Sequence, residues 1–197
     1  AKVTQLVKAQ NGKITFLGSA DASLESNFAL REWANQLGVD KISYVSYIEP
    51  GKGDGWLIQD DRSPNAAACE LLGFEATTIE AVKAQLAARE ISFLYSLEND
   101  RLFAALGKEE LQYVTVVAHA TQHQPGHDFV DYLLPAATAI EGEGVYINYK
   151  GLPQVSTLAK QVRQMSPDMW MRLPKSRIDK GAVAVDRWRN LDNIFDV

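Results

Sequence analysis

Cysteine is nearly missing from this chain: Cys69 is alone among 197 residues. One thiol excludes a disulfide within the chain and falls short of the four thiolates that an iron–sulfur cluster normally takes. Long apolar runs are missing too. Apolar residues make up 46% of the chain, yet no run approaches the ~18 consecutive apolar residues that mark a membrane-crossing helix. Basic residues are outnumbered, 20 Lys and Arg against 25 Asp and Glu, for a net charge of −5. General nucleic-acid binding needs a basic face to neutralise phosphates, so the charge argues against that class. The amino end carries no charged-then-apolar leader with a small-residue cleavage site, which favours a soluble, intracellular chain. Gly18-Ser19 is not a nucleophile elbow, because no second glycine follows Ser19 at the required spacing. Acidic residues are many, but none can be paired along the sequence as general acid and base. No residue is therefore assigned a catalytic, cofactor-binding or metal-binding role.

What is present reads as an α/β fold: a Rossmann-like parallel sheet with flanking helices, plus a less regular carboxyl-terminal extension. Lys13 to Gly18 is a compact apolar run ending in glycine, the pattern of a buried strand. Ser19 to Ser23 then opens a helix whose Leu24, Phe28, Ala34 and Leu37 share a face, with Gly38 as its C′ residue. Lys41–Tyr47, Ile91–Leu97 and Tyr113–Ala118 have strand composition. Thr77-Thr-Ile-Glu80 resembles a capping box ahead of a helix reaching about Arg89. A short helix follows around Asp100 to Leu106. Strands alternating with helices predict parallel pairing through crossovers. Ligands of such sheets bind beyond the carboxyl ends of the strands, here Gly18-Ser19, Glu98-Asn99 and His119 to His123. The α/β domain is expected over 1–155. The extension, 156–197, is expected to end in a helix from Ala184 to Ile194.

Three local features invite chemistry. Gly51, Gly53 and Gly55 precede Trp56 in a long loop. Glycine-rich loops hold phosphate when their amides converge with a helix N-terminus, and no helix starts directly after these. The loop is expected to lie on the surface, anchored by Trp56, and Trp188 is expected to be a second packing anchor. Cys69 follows Ser63-Pro64, a good N-cap and N1 pair, in a short apolar helix; it is expected to be buried and inert, since no basic partner adjoins it. All three histidines fall in His119-Ala-Thr-Gln-His123-Gln-Pro-Gly-His127. Helical spacing would align them for zinc or copper, but Pro125-Gly126 argues against an unbroken helix. A metal would need ligands converging from a loop, helped by Asp128 or Asp131. Otherwise the stretch is a polar loop at a strand end, with His119 and His123 the best contacts for a small ligand.

The stretch from Asp128 to Gln154, with Leu134-Pro-Ala-Ala-Thr138, Glu141-Gly-Glu-Gly144-Val-Tyr-Ile-Asn148-Tyr and Gly151-Leu-Pro-Gln154, resembles the segment "ADVVLPAATFAEKEGTFVNYEGRVQ" of the molybdopterin oxidoreductase superfamily. Within it, the chain looks most like the carboxyl-terminal part of the large iron–sulfur subunit of NADH–quinone oxidoreductase, respiratory complex I. Pro64-Asn-Ala-Ala-Ala-Cys-Glu-Leu-Leu-Gly73 resembles "ANSAGAELLG", Ile91 to Asp100 resembles "KALYVLENDL", and Val116-Val117 with Thr121 resembles "FLVVQATHHTPT". The resemblance covers roughly residues 13 to 195.

It implies a dinucleotide-binding-like α/β domain. In molybdenum enzymes such as formate dehydrogenase, this domain holds a pterin dinucleotide, with glycine at the strand end in "GENP". Here Leu97-Glu98-Asn99-Asp100-Arg101 takes that place, and Leu152 replaces the arginine of "GRVQ". The departures favour the complex I relative, in which the domain is a vestige without molybdenum. The chain is then a structural piece without a cofactor of its own, iron–sulfur clusters being expected elsewhere in the full subunit. The implied partners are the amino-terminal iron–sulfur domains of the same subunit and other peripheral-arm subunits. The implied place is cytoplasmic and peripheral to the inner membrane. The alternatives are a pterin-binding domain of a formate dehydrogenase-type enzyme, and a free-standing nucleotide-binding module at His119–His123.

Overall fold

The computed structural model describes Gln5 and residues 13–159. Strands β1 (Ile14–Ser19), β2 (Ile42–Val45), β3 (Glu75–Thr77), β4 (Phe93–Ser96), β5 (Thr115–Ala120) and β6 (Tyr132–Pro135) form one sheet in the order β3-β2-β1-β4-β5-β6. Every neighbouring pair is parallel. This is the α/β architecture that the alternating strands and helices predict.

Side-chain alternation explains why these strands sit in the middle. Phe16, Tyr44, Phe93, Tyr95 and Val117 face one core, together with Leu24, Leu30 and Cys69. Leu17, Val45, Leu94, Val116 and Ala118 face the other, with Val82, Leu86, Leu102 and Phe103. Strands buried on both faces read as unbroken apolar runs, which makes β1 and β4 legible in the sequence. Helices α1 (Leu24–Gln36) and α2 (Ala66–Leu71) cover the first face. Helices α3 (Ile79–Ala87), α4 (Asp100–Ala105) and α5 (Lys108–Leu111) cover the second. The chain thus moves outward from β1 over one face, then returns beside β1 and moves the other way over the opposite face. The reversal between β1 and β4 is the topological switch point, where such sheets open a crevice.

Local signals set the element ends. The Ser23 Oγ accepts the Ser26 amide at 3.2 Å and starts α1. Gly38, at φ 74°, stops it as the expected C′ residue, and the Val39 amide reaches back to the Ala34 carbonyl at 3.0 Å. Two expected caps shift. Thr77 closes β3, so the α3 cap falls on Thr78, whose Oγ1 accepts the Ala81 amide at 3.1 Å. Thr78→Ala is expected to cost about 1 kcal/mol in urea unfolding, and Thr77→Ala well under half of that. Helix α2 starts at Ala66 beside Asn65, not behind Ser63 and Pro64.

Asn65 explains its own shift, because its side chain is committed elsewhere. Strands β7 (Gly144–Ile147) and β8 (Pro153–Ser156) pair antiparallel as a separate ribbon packed on α1 and α2. The Asn65 Oδ1 accepts the Ile147 amide and its Nδ2 donates to the Ala22 carbonyl, both at 2.7 Å. The buried Glu25 carboxylate accepts the Val145 amide at 3.0 Å. Gly144 permits this approach, since a Cβ there would stand 2.5 Å from the Ser23 Cβ.

The sheet ends in β3, whose Glu75 pairs with Lys41 at 3.4 Å, and in β6, which finishes at Pro135. The expected division at 155 falls inside β8. Residues 160–197, including Trp188 and the helix expected from Ala184, lie outside the described residues. Among the described residues, no helix is long and apolar enough to cross a membrane.

Candidate functional site

The switch point brings together the two strand ends that the sequence nominates, Gly18-Ser19 and Glu98-Asn99. In a ligand-binding sheet, the backbone groups here face the ligand. In this chain they face its own side chains. The Asn27 Oδ1 accepts the Ser19 amide at 3.0 Å, and its Nδ2 donates to the carbonyls of Ser19 and Ser23 at 2.9 and 3.1 Å. From the other side, the Asn99 Nδ2 donates to the Gly18 carbonyl at 3.0 Å and to the Ser96 Oγ at 2.9 Å. The Ser19 Oγ donates to the Glu98 carbonyl at 3.1 Å, closing the seam. Asn27 and Asn99 are wholly buried. The Phe74 ring lies against Gly18, where an added Cβ would come within 2.4 Å of it. Leu97 fills the first core. Glu98 holds φ at 35°, a left-handed conformation that glycine adopts more easily.

The mouth of this seam is mainly acidic. The Arg101 Nη2 lies 3.6 Å from the Asp21 Oδ1, and its guanidinium stacks 4.3 Å above the Tyr47 ring. Burial raises the Asp21 carboxyl above its ordinary range; Arg101 opposes that, and Asp100 and Asp61 reinforce it. Burial likewise pushes the Tyr47 phenol up. The Asp100 Oδ2 accepts the Thr121 hydroxyl at 2.6 Å and the Gln122 amide at 3.1 Å. A diphosphate placed here would meet carboxylates first.

The fold separates His119 from the other two histidines, whose rings stay 6.0 Å apart. His119 lies in β5 with its Nε2 on the Tyr95 hydroxyl, and burial lowers its pKa to about 3. His123 is on the surface, its Nε2 3.0 Å from the Asp128 Oδ1. His127 is buried against Phe103, ring centroids 4.5 Å apart, and its Nδ1 accepts the Gln124 amide at 3.0 Å. Burial lowers the His127 pKa, with Asp100 and Asp128 pulling the other way. Asp131 turns back to the sheet, accepting the Val116 amide at 2.8 Å. Of the loop ligands weighed for a metal, His123 meets Asp128 and lies edge-on to the His127 ring, centroids 6.0 Å apart, while His119 and Asp131 stand apart from them. A shallow hollow of about 170 Å³ lies beside His123, lined by Ala120, Thr121, Gln122, His123, Leu133 and Pro135. It is the described place closest to the strand-end ligand position expected at His119 to His123, although His119 itself faces inward.

The glycine loop departs most from expectation. Trp56 does not anchor it: the residue is 87% exposed. Two aspartates do the anchoring. The Asp60 carboxylate accepts the amides of Gly51 and Gly53 at 3.2 and 2.6 Å. The Asp54 Oδ1 accepts those of Trp56, Leu57 and Ile58, each at 2.8 Å. These bonds hold both carboxyls below their ordinary range. The Gly51 and Gly53 amides that could have cradled a phosphate are already taken. The missed signal was Asp54 two residues before Trp56, an Asx-turn spacing. Cys69 is buried as expected, and burial, with Glu70 and Asp21, pushes its thiol up.

The geometry defines a doubly wound parallel α/β domain whose switch-point crevice is filled from within. No protein-family model matches the chain, and no curated protein matches it.

Proposed function

We propose that this chain is a structural, non-catalytic domain from the large iron–sulfur subunit of an NADH–quinone oxidoreductase of the complex I type. The observation that carries the reading is the filled crevice. Asn27 and Asn99 take the strand-end backbone groups, and Leu97 stands where cofactor-holding relatives carry glycine. A pterin dinucleotide does not fit these residues. Its diphosphate would displace a buried asparagine network and then meet Asp21 and Asp100 at a mouth with Arg101 as the paired cation. Electron transfer falls to clusters in the amino-terminal domains of the full subunit, which this domain supports together with other peripheral-arm subunits at the cytoplasmic face of the inner membrane.

Calorimetric titration of the chain with NADH or molybdopterin guanine dinucleotide is expected to show no saturable heat, meaning affinity weaker than about 1 mM. Tighter saturable binding of the pterin would sink the filled-crevice account and promote the formate dehydrogenase-type reading; tight binding of NADH would promote the nucleotide-binding module. Membership of the complex is tested by immunoblotting native cell membranes on native and denaturing gels. A long polypeptide co-migrating with NADH dehydrogenase activity is expected. A free product of 21.8 kDa in the soluble fraction would overturn the assignment.

A further inference from the structure

Residues 48–62 form a stiff finger whose tip displays its apolar side chains instead of burying them. Ile48 and Asp61 make an antiparallel bridge at its base, and the Glu49 amide reaches the Asp60 carbonyl at 3.0 Å. Higher up, the Asp54 amide reaches the Ile58 carbonyl at 3.0 Å. Asp54 and Asp60 then gather five backbone amides between them. Gly53 is needed for this closure, since a Cβ there would press on the Asp60 Oδ1 and the Ile58 carbonyl, both at 2.9 Å. None of these contacts uses the side chain of Trp56 or Leu57. Those two are 87% and 83% exposed, with Ile48 and Ile58 about half exposed beside them.

A loop that merely joined β2 to α2 would be better served by polar residues at its tip. A rigid tip presenting tryptophan has another use: little conformational entropy remains to be lost on docking, and tryptophan is among the residue types most enriched at binding hot spots. Charge selects the partner. The finger carries Glu49, Asp54, Asp60 and Asp61 against Lys52 and Arg62. An anionic lipid surface repels such a tip and attracts basic ones instead. A second copy of the chain, itself at −5, is a poor electrostatic match.

We propose that the 48–62 finger is a docking element, inserting Trp56 and Leu57 into an apolar cleft rimmed by Lys or Arg on a protein surface outside these 197 residues. Such docking does not require the partner to be a complex I subunit.

The test places a photoreactive amino acid at position 57 in the native full-length protein, irradiates cells, and maps the cross-linked peptides by mass spectrometry. Adducts are expected on one cleft of another protein or domain, lined by apolar residues and edged by Lys or Arg. With that purified surface, Trp56→Ala is expected to weaken binding at least ~30-fold while the unfolding midpoint stays put. Asp54→Ala, which frees the tip but keeps its apolar area, is expected to weaken it several-fold, and wild-type affinity should drop as salt rises. Adducts confined to lipid, to a second copy or to residues 1–197 would overturn the proposal, as would the absence of adducts or unchanged binding by Trp56→Ala.

Discussion

Stability is expected to fall steeply below pH ~6, by about 1.4 kcal/mol for each pH unit, with His119 as the main cause. The imidazole is wholly buried in β5, and its pKa lies at about 3 in the folded state, against about 6.5 in an unfolded chain. Its folded value is depressed, so the neutral form is the one that folding favours. Above about pH 6.5 both states hold it neutral and its contribution is complete. Between that pH and about 3, the unfolded chain takes a proton that the folded chain refuses. Each unit of acid in this window therefore shifts the balance toward unfolding. The reason for refusal is local: the Nε2 meets the Tyr95 hydroxyl, whose ring packs against Phe16 and Trp33 in a three-ring cluster. A charge there would have no carboxylate to face. His127, also lowered by burial, adds in the same direction. Urea unfolding at pH 7.5, 6 and 5 measures the slope. His119→Leu combined with Tyr95→Phe removes both polar partners without orphaning either. That double variant should be distinctly less acid-sensitive; a slope equal to wild type would clear His119 of the role.

Asn27→Ala is expected to cost about 3 kcal/mol at neutral pH. Asn27 is wholly buried and links α1 to the end of β1 through both ends of its amide. Truncation leaves the Ser19 amide without its acceptor in a place water does not reach. It also opens a void beside Gly18, because the Asn27 Oδ1 lies only 2.8 Å from where a Gly18 Cβ would be. The carbonyls of Ala22 and Ser23 suffer less, each keeping a second donor, from Asn65 and from the backbone amide of Asn27. The loss should therefore reflect one orphaned donor plus the cavity, not four separate bonds. Chemical denaturation of wild type and variant decides it. A difference below 1 kcal/mol would mean that the crevice relaxes and that Asn27 only occupies space.

The readable parts of this fold are those whose signal is local. β1 and β4 announce themselves as apolar runs because both of their faces are buried. Gly38 marks the end of α1 because the chain turns left-handed there, a conformation that glycine adopts most easily. β3 was missed, since a three-residue edge strand reading Glu75-Ala76-Thr77 has no periodicity to detect. The β7–β8 ribbon was also invisible as structure. It is held by Glu25 and Asn65, which lie 120 and 82 residues from their backbone partners. Long-range polar clamps leave no trace in a window of neighbouring residues.

The site was legible as a place but not as a state. The strand ends were located by topology, yet nothing in Gly18-Ser19 tells that Asn27 and Asn99 will fill the gap between them. The three histidines looked like one cluster because they are close in sequence. The strand then sends His119 into an apolar core, while His123 on the surface loop and His127 in the 3₁₀ turn stay edge to face. Trp56 misled for a related reason: a tryptophan is usually buried, and here two aspartates made its burial unnecessary.

The two outermost strands carry a consequence for behaviour at high concentration. An unpaired strand edge is a template on which another molecule can add, and continuous addition leads to fibrils. One border of this sheet is only three residues long and bears Glu75. The other spans only the four residues Tyr132 to Pro135. Among the described residues, the six-stranded sheet thus offers crowded copies no long, flat seam along which to polymerise.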